Sequence, residues 1–431
     1  MKHHSIRLKT AAAVFGLSSI ALAGEPPAAP AAPSGSMFDD FDFCTWLSKK
    51  PGTVYKNDDN PWISEINFNG RYHWQAAYVD GEGSFGRNFS EDYTDVRRFR
   101  LGAKIKFFNY FAYKGVVNLA EDARRNGGDL DYGYQDFDES FFSFDAASAF
   151  NLSGLDKLTF NYGRIKWLAG LESRTSSNEL LTVERSAIAN KTYGSYRPTG
   201  FTVNADKGPI STTFGIYSSD ERSDYLGADD GNVEGWAGWN DGLMYSAQVL
   251  YTATDDLRFG WDFVYNDADE IGANEDSLLD YKWATTLSAE IAIGQGGINI
   301  EGIYGDNGGR EMQSRASRQG GFWGFTATPY YWIVPAKLQA VAQYMYAGSD
   351  ASEGIRTNSR YVRATNYGGG GNPNAVNGGR GDELHTVYAG LNYLVCGDNL
   401  KFQAGVEYAA LQAGLGNIDA LTYLFAFRTS F

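Results

Sequence analysis

The sequence predicts an all-β chain: a transmembrane, up-and-down, antiparallel β-barrel of about 16 strands with an inward-folded constriction loop. Three observations predict it. Apolar and polar residues alternate over runs of eleven residues or more, whereas strands of soluble sandwiches average five to six. That length suits a tilted membrane strand. The connections between runs alternate short and long. Aromatics reach 15% and glycine 51 residues against 11 prolines, which excludes a disordered chain, and no run of about 18 apolar residues lies beyond the N-terminus to serve as a membrane helix.

Taken in order, the chain opens on a secretory signal. Lys2, Arg7 and Lys9 precede an apolar core at 10–20, and Ala21-Leu22-Ala23 forms an A-x-A cleavage site before Gly24. Residues 1–23 therefore read as a signal peptide, too short for a retained anchor. Its removal takes the formal charge from −15 to about −18. Such a balance speaks against nucleic acid as a partner. Cys44 lies too far from the cleavage site for a lipoprotein. Residues 25–33 (EPPAAPAAP) form an extended spacer within an N-terminal periplasmic segment, 24–63, and the barrel is expected over 64–431.

The first strand shows the logic. Ile66, Phe68, Tyr72, Trp74, Ala76 and Tyr78 share one parity, and Asn67, Asn69, Arg71, His73 and Gln75 the other. Successive side chains of a strand face opposite ways, so one face is greasy and one wet. Phe259, Trp261 and Phe263 against Asp262, and Phe402, Val406 and Tyr408 against Lys401 and Gln403, repeat it. Strands are expected at 64–80, 94–107, 110–121, 135–146, 156–166, 200–206, 209–219, 239–253, 255–268, 280–293, 296–306, 320–333, 336–347, 382–395, 399–411 and 417–431. Long polar connections near 81–93, 122–134, 167–199, 220–238, 269–279, 307–319 and 348–380 all fall at one end. An even count places both termini at the other. Phe431 closes the chain with aromatics at i−4, i−6 and i−8, similar to the assembly signal of outer-membrane barrels.

Several blocks resemble the phosphate-selective porin O and P family. Residues 94–107 (TDVRRFRLGAKIKF) look like its double-Arg second strand, and 136–140 (DFDES) like its Phe-Asp-Glu strand. Residues 162–165 (YGRI) and 170–184 (GLESRTSSNELLTVE) are similar to its Gly-Arg segment and the constriction loop after it. Segment 41–75 looks like the N-terminal region of the family's distant branches. The resemblance implies a sixteen-stranded homotrimer in the outer membrane of a Gram-negative-type bacterium, in contact with its lipid. It implies a water-filled channel for small anions or other small hydrophilic solutes, with one loop narrowing each pore.

On the second strand, Phe99, Leu101, Ala103, Ile105 and Phe107 take lipid parity, and Arg98, Arg100, Lys104 and Lys106 the lumen. Arg97 joins the lipid parity near the loop end. Arg71 and Lys114 add to the file, and Asp138 is expected to line the channel with them. A row of cations in a wet pore attracts anions; the alternative is that these charges solvate the wall and pair with Asp138, Asp262, Glu290 and Glu301. Within the loop 167–199, residues 176–188 have helix-compatible spacing. Its charges are mixed, including Arg174, Glu184 and Arg185, and Asn178 stands where phosphate-selective members tend to carry Lys. A general or weakly anion-preferring channel follows, rather than a strict phosphate channel.

Rival functions fit less well. With His73 and His385 the only bases beyond the signal and no serine motif, an enzyme lacks its parts; no cofactor or metal set is indicated. A sugar-selective porin needs a file of lumen aromatics, which Tyr330 and Trp332 could only begin. A non-conducting structural barrel remains the other alternative. Finally, Cys396 falls in a short turn on the same rim as Cys44, within a few strand widths of the chain's entry into the barrel. Export permits a Cys44–Cys396 bridge, with two unrelated small hydrophobes as the alternative.

Overall fold

The computed structural model describes residues 42–48, 51–83, 87–120, 132–167, 169–192, 197–219, 242–267, 278–310, 313, 315–356, 360–364, 380–413 and 416–431. The expected signal peptide and spacer, and much of the expected long connections at 122–134, 220–238, 269–279 and 348–380, lie outside the described residues. Helix α1 (Phe43–Ser48) and strand β1 (Thr53–Lys56) come first. The barrel begins with β2 (Ile63–Gly83), β3 (Arg87–Phe107), β4 (Phe111–Ala120), β5 (Tyr132–Asp145), helix α2 (Ala146–Ala149) and β6 (Lys157–Arg164). After α3 (Leu171–Arg174) and α4 (Ala187–Thr192) follow β7 (Thr199–Lys207), β8 (Ile210–Ser218), β9 (Leu243–Thr254), β10 (Leu257–Asn266), β11 (Trp283–Ile293), β12 (Gly296–Asp306), β13 (Gly321–Val334) and β14 (Leu338–Ser349). The connection β15 (Ile355–Arg356), α5 (Arg360–Ala364), β16 (Arg380–Gly381) leads to β17 (Glu383–Leu394), β18 (Leu400–Gln412) and β19 (Ile418–Ser430).

Among the described residues, sixteen of these strands form one antiparallel meander, β2–β14 and β17–β19. It closes where β19 pairs with β2 from Asp419↔Glu82 to Ser430↔Arg71. In lipid such closure is compulsory, because an open edge would leave its N–H and C=O groups without partners. Seven short connections share one end with the start of β2 and the end of β19. One is the β3–β4 turn, where Phe108 and Asn109 adopt φ of 50° and 64°, the left-handed pair that a tight hairpin requires.

The molecule is apolar outside and polar within. Phe68, Phe201, Phe214, Leu287, Ile293 and Phe425 are exposed, whereas His73, Asp262, Lys401 and Arg428 are buried. Such exterior surface would be untenable in water and is what a bilayer solvates.

One boundary differs from the sequence expectation. The polar connection at 81–93 is instead ladder, running through Val79↔Glu91 to Gly83↔Arg87. Above Tyr78 the pattern changes sign: Val79 and Tyr93 point inward and are buried, and Asp80, Glu82 and Asp92 point outward and are exposed. The hairpin has left the lipid belt, so its outer face is wetted, and the lipid-facing alternation that marks the lower strand disappears. At the other rim, β1 pairs with β2, and Cys44 and Cys396 form a disulfide.

Candidate functional site: the constricted lumen

The described residues of the segment 165–192 cross the lumen, and wall side chains hold them there. Arg428 on β19 donates to the Ser177 carbonyl (2.5 Å) and to that of Val183. Lys401 and Gln403 on β18 donate to the Leu180 carbonyl, both at 3.2 Å, and Asn392 on β17 donates to that of Leu181 (2.9 Å). The Leu171 N–H donates to Glu301 on β12 (2.6 Å). These bonds explain why 176–188 is not one helix, as its spacing suggested. Backbone carbonyls that a helix would satisfy internally are satisfied by the wall, and helix forms only at α3 and at α4.

Two glycines let the loop dock. A Cβ on Gly324 would lie 2.4 Å from Ile188 of α4, and one on Gly260 would lie 2.7 Å from the Arg174 guanidinium. Arg174 reaches Asp262 (3.3 Å), Glu290 (3.5 Å) and the Ser288 hydroxyl (2.8 Å). Arg185 braces the loop internally, donating to the carbonyls of Glu172 (2.6 Å) and Thr175 (2.9 Å); burial pushes its pKa down to about 10. Burial likewise pushes the Glu172 carboxyl up. Burial acts the same way on Glu184, but Arg97, Arg360 and Arg98 outweigh it and hold that carboxyl well below the usual range. Asn178 contributes no charge: it contacts His73 (2.7 Å) and donates to Ser430 (2.6 Å).

The basic file stands against this loop. Arg71 is in register with Arg100, and Lys104 with Lys114. Arg71 donates to Ser177 (2.7 Å). Asp138 accepts from Arg100 (2.8 Å) and Arg197 (2.9 Å), and Lys114 pairs with Glu139 (2.5 Å). Lys104 and Lys106 stand lower on the wall; Lys106 pairs with Glu65 near the rim.

The lipid-parity assignment of Arg97 is corrected by a β-bulge. His73 pairs with Arg98 and Trp74 with Val96, leaving Arg97 as the extra residue, and it turns inward to Glu184 at 3.0 Å. A second bulge leaves Asp138 unpaired between Phe137 and Glu139, so that consecutive carboxylates line the same space. Bulges re-aim side chains in this way.

The cavity beside the loop measures about 420 Å³. Its wall carries Arg71, Arg98, Arg100, Lys114, Lys166, Arg174, Arg185 and Arg197 against Asp138 and Glu139. A second cavity of about 430 Å³ shares Arg71, Arg100, Lys114, Asp138 and Glu139 and continues to Leu47, Ser430 and Phe431. Sequence reasoning did not single out Lys166, Arg197 or Arg428. Arg428 sits on the lumen parity of the last strand and was legible there. Arg197 lies in irregular chain with no periodicity to reveal it.

A closed sixteen-stranded barrel with a lipid-compatible exterior, a charged interior and a loop across its lumen defines a porin, an outer-membrane channel. The sequence profile of the phosphate-selective porin O and P family matches residues 66–284, half of the chain, and the chain belongs to that family. Family and fold place it in the Gram-negative outer membrane. Three solved structures are similar to the chain. The anion-selective porin from Comamonas acidovorans, which shares the fold, is 10% identical over 84% of this chain and 99% of its own, with a TM-score of 0.50. OmpT of Vibrio cholerae, in its trimer form, is 11% identical over 85% and 99%, with a TM-score of 0.47. Salmonella typhi OmpF, in complex with daunomycin, is 13% identical over 87% and 99%, with a TM-score of 0.49. No curated protein sequence matches the chain.

Proposed function

We propose that this porin is a passive diffusion channel with a modest preference for small anions, assembled as a homotrimer. The observation that carries the anion preference is the charge of the narrowed cavity. Eight basic side chains face two carboxylates there, in a chain whose formal net charge is −15. Charges beyond a Debye length of about 8 Å are screened at physiological salt, so the local wall and not the acidic total sets what enters. Arg71, Arg98, Arg100 and Lys114 are the channel-lining cations of this reading. Arg174 and Arg185 act as braces of the constriction loop.

Strict phosphate selection is not part of the proposal. Asn178 is neutral and committed to His73 and Ser430, and Arg100 is shared with Asp138. The homotrimer rests on the family. The test is the reversal potential of the purified protein in a KCl gradient, followed by competition with phosphate and with maltodextrin. Anion preference with weak phosphate block is expected. Cation preference would overturn the reading, and block by maltodextrin alone would favour a sugar-selective channel. A heat-modifiable oligomer on a mild detergent gel is expected for the trimer.

A further inference from the structure

The lumen has a second wall that the anion reading does not use. A cavity of about 840 Å³ opens beneath the constriction loop along β9–β13, toward the short-turn rim. Two aromatic rings from alternate positions of β13, Tyr330 and Trp332, line it. Gly297, in register with Tyr330, makes room: a Cβ there would lie 2.5 Å from the Tyr330 hydroxyl. Neither the Tyr330 hydroxyl nor the Trp332 indole N–H has a hydrogen-bond partner among the described residues. The same wall carries four carboxylates, Glu179, Asp255, Asp256 and Glu290, against two guanidiniums. Arg174 and Arg258 both lean on Glu290, at 3.5 and 3.9 Å. Asp255 and Asp256, in the β9–β10 turn, have no ion-pair partner among the described residues.

We propose that this vestibule is a binding site for small organic cations, an ammonium or guanidinium held over Tyr330 and Trp332 with Asp255 and Asp256 as counter-charges. An aromatic face attracts a cation through its quadrupole, most strongly where water is partly displaced, and the surplus of carboxylates adds attraction of the same sign. Position matters as much as composition. In the ring of sixteen, β3 and β4 with their cations lie six strands from β9 and β10 and, the other way round, six or seven from β13. Basic and acidic walls therefore face each other across the lumen, and a cation repelled by one is received by the other. The proposal rests on a water-filled lumen but not on net anion preference.

The probe is benzyltrimethylammonium, whose charge cannot donate a hydrogen bond, so its binding reads charge and ring contact alone. Calorimetric titration of the folded, detergent-solubilised protein should show saturable, salt-sensitive binding in roughly the millimolar range. The pairs Asp255→Asn/Asp256→Asn and Tyr330→Ala/Trp332→Ala should each weaken it about fivefold or more. Lys157→Gln, which removes a charge paired with Asp206 away from the cavity, should leave it unchanged. The same probe, added from the short-turn side, should block single-channel current. Absence of saturable binding, or binding indifferent to both paired variants, would overturn the proposal. So would maltotriose binding that is lost in the aromatic pair while the ammonium does not bind. Intact ammonium binding in a barrel that passes no current would support this site and count against the channel reading.

Discussion

Replacing Arg71, Arg98 and Arg100 together by Gln tests the basic wall directly. The cavity wall holds eight basic side chains and two carboxylates; Arg174 is balanced by Asp262 and burial pushes the Lys166 pKa down to about 6, leaving an effective charge of about +4. A unit charge roughly 10 Å away in water is worth about 0.4 kcal/mol. One Debye length at 0.1 M salt reduces this to about 0.15 kcal/mol. Four such terms give about 0.6 kcal/mol, which enriches a monovalent anion about 2.8-fold and depletes a cation equally, a ratio of about eight. The triple variant retains about +1, and the ratio falls to about 1.7. In a tenfold KCl gradient, with 59 mV as the bound for perfect selectivity, the reversal potential should fall from about 40 mV to about 10 mV in magnitude. Planar-bilayer recording measures it, with heat-modifiable migration as the check on folding. A folded variant with an unchanged reversal potential would refute the idea that these three arginines set selectivity.

Three further outcomes are expected. Glu184→Gln removes the partner of Arg97 and should destabilise the loop by about 2 kcal/mol at neutral pH. Because the Glu184 pKa is depressed, its contribution is full above the unfolded glutamate value near 4.3 and fades as pH falls through the lower folded value. The Tm gap between wild type and variant should therefore hold to about pH 4.3 and shrink below it; a gap that widened on acidification would be wrong in sign. Arg428→Met releases the Ser177 and Val183 carbonyls and should raise single-channel conductance and current noise, whereas unchanged traces would mean the loop is held without it. Cys44→Ser should make residues before Ile63 more sensitive to protease with conductance nearly unchanged, since the Cys44–Cys396 bridge ties a segment at the rim; equal proteolysis of both proteins would contradict this.

Much of the barrel was determined by sequence alone. Facing alternates every two residues, so Phe259, Trp261 and Asp262 declare their sides locally, and the short turns fix where each strand reverses. The same parity gave Arg71, Arg98 and Arg100 their place on the lumen wall. Tertiary structure alone decided what parity cannot encode. The bulges at Arg97 and Asp138 depend on pairing with β2 and β4, and each turns a residue to the face its neighbour already holds. The path of the loop depends on Lys401, Gln403 and Arg428, more than 200 residues away, which satisfy its backbone in place of a helix. The hairpin above Tyr78 lost its signal because its outer face meets water rather than lipid. The opposition of basic and acidic walls arises only on closure, when strands remote in sequence come to face one another across the pore. A period of two residues is a local property of the chain; a bulge, a docked loop and a facing wall are relations between distant parts of it, set by which backbone and charged groups must find partners once the barrel is closed.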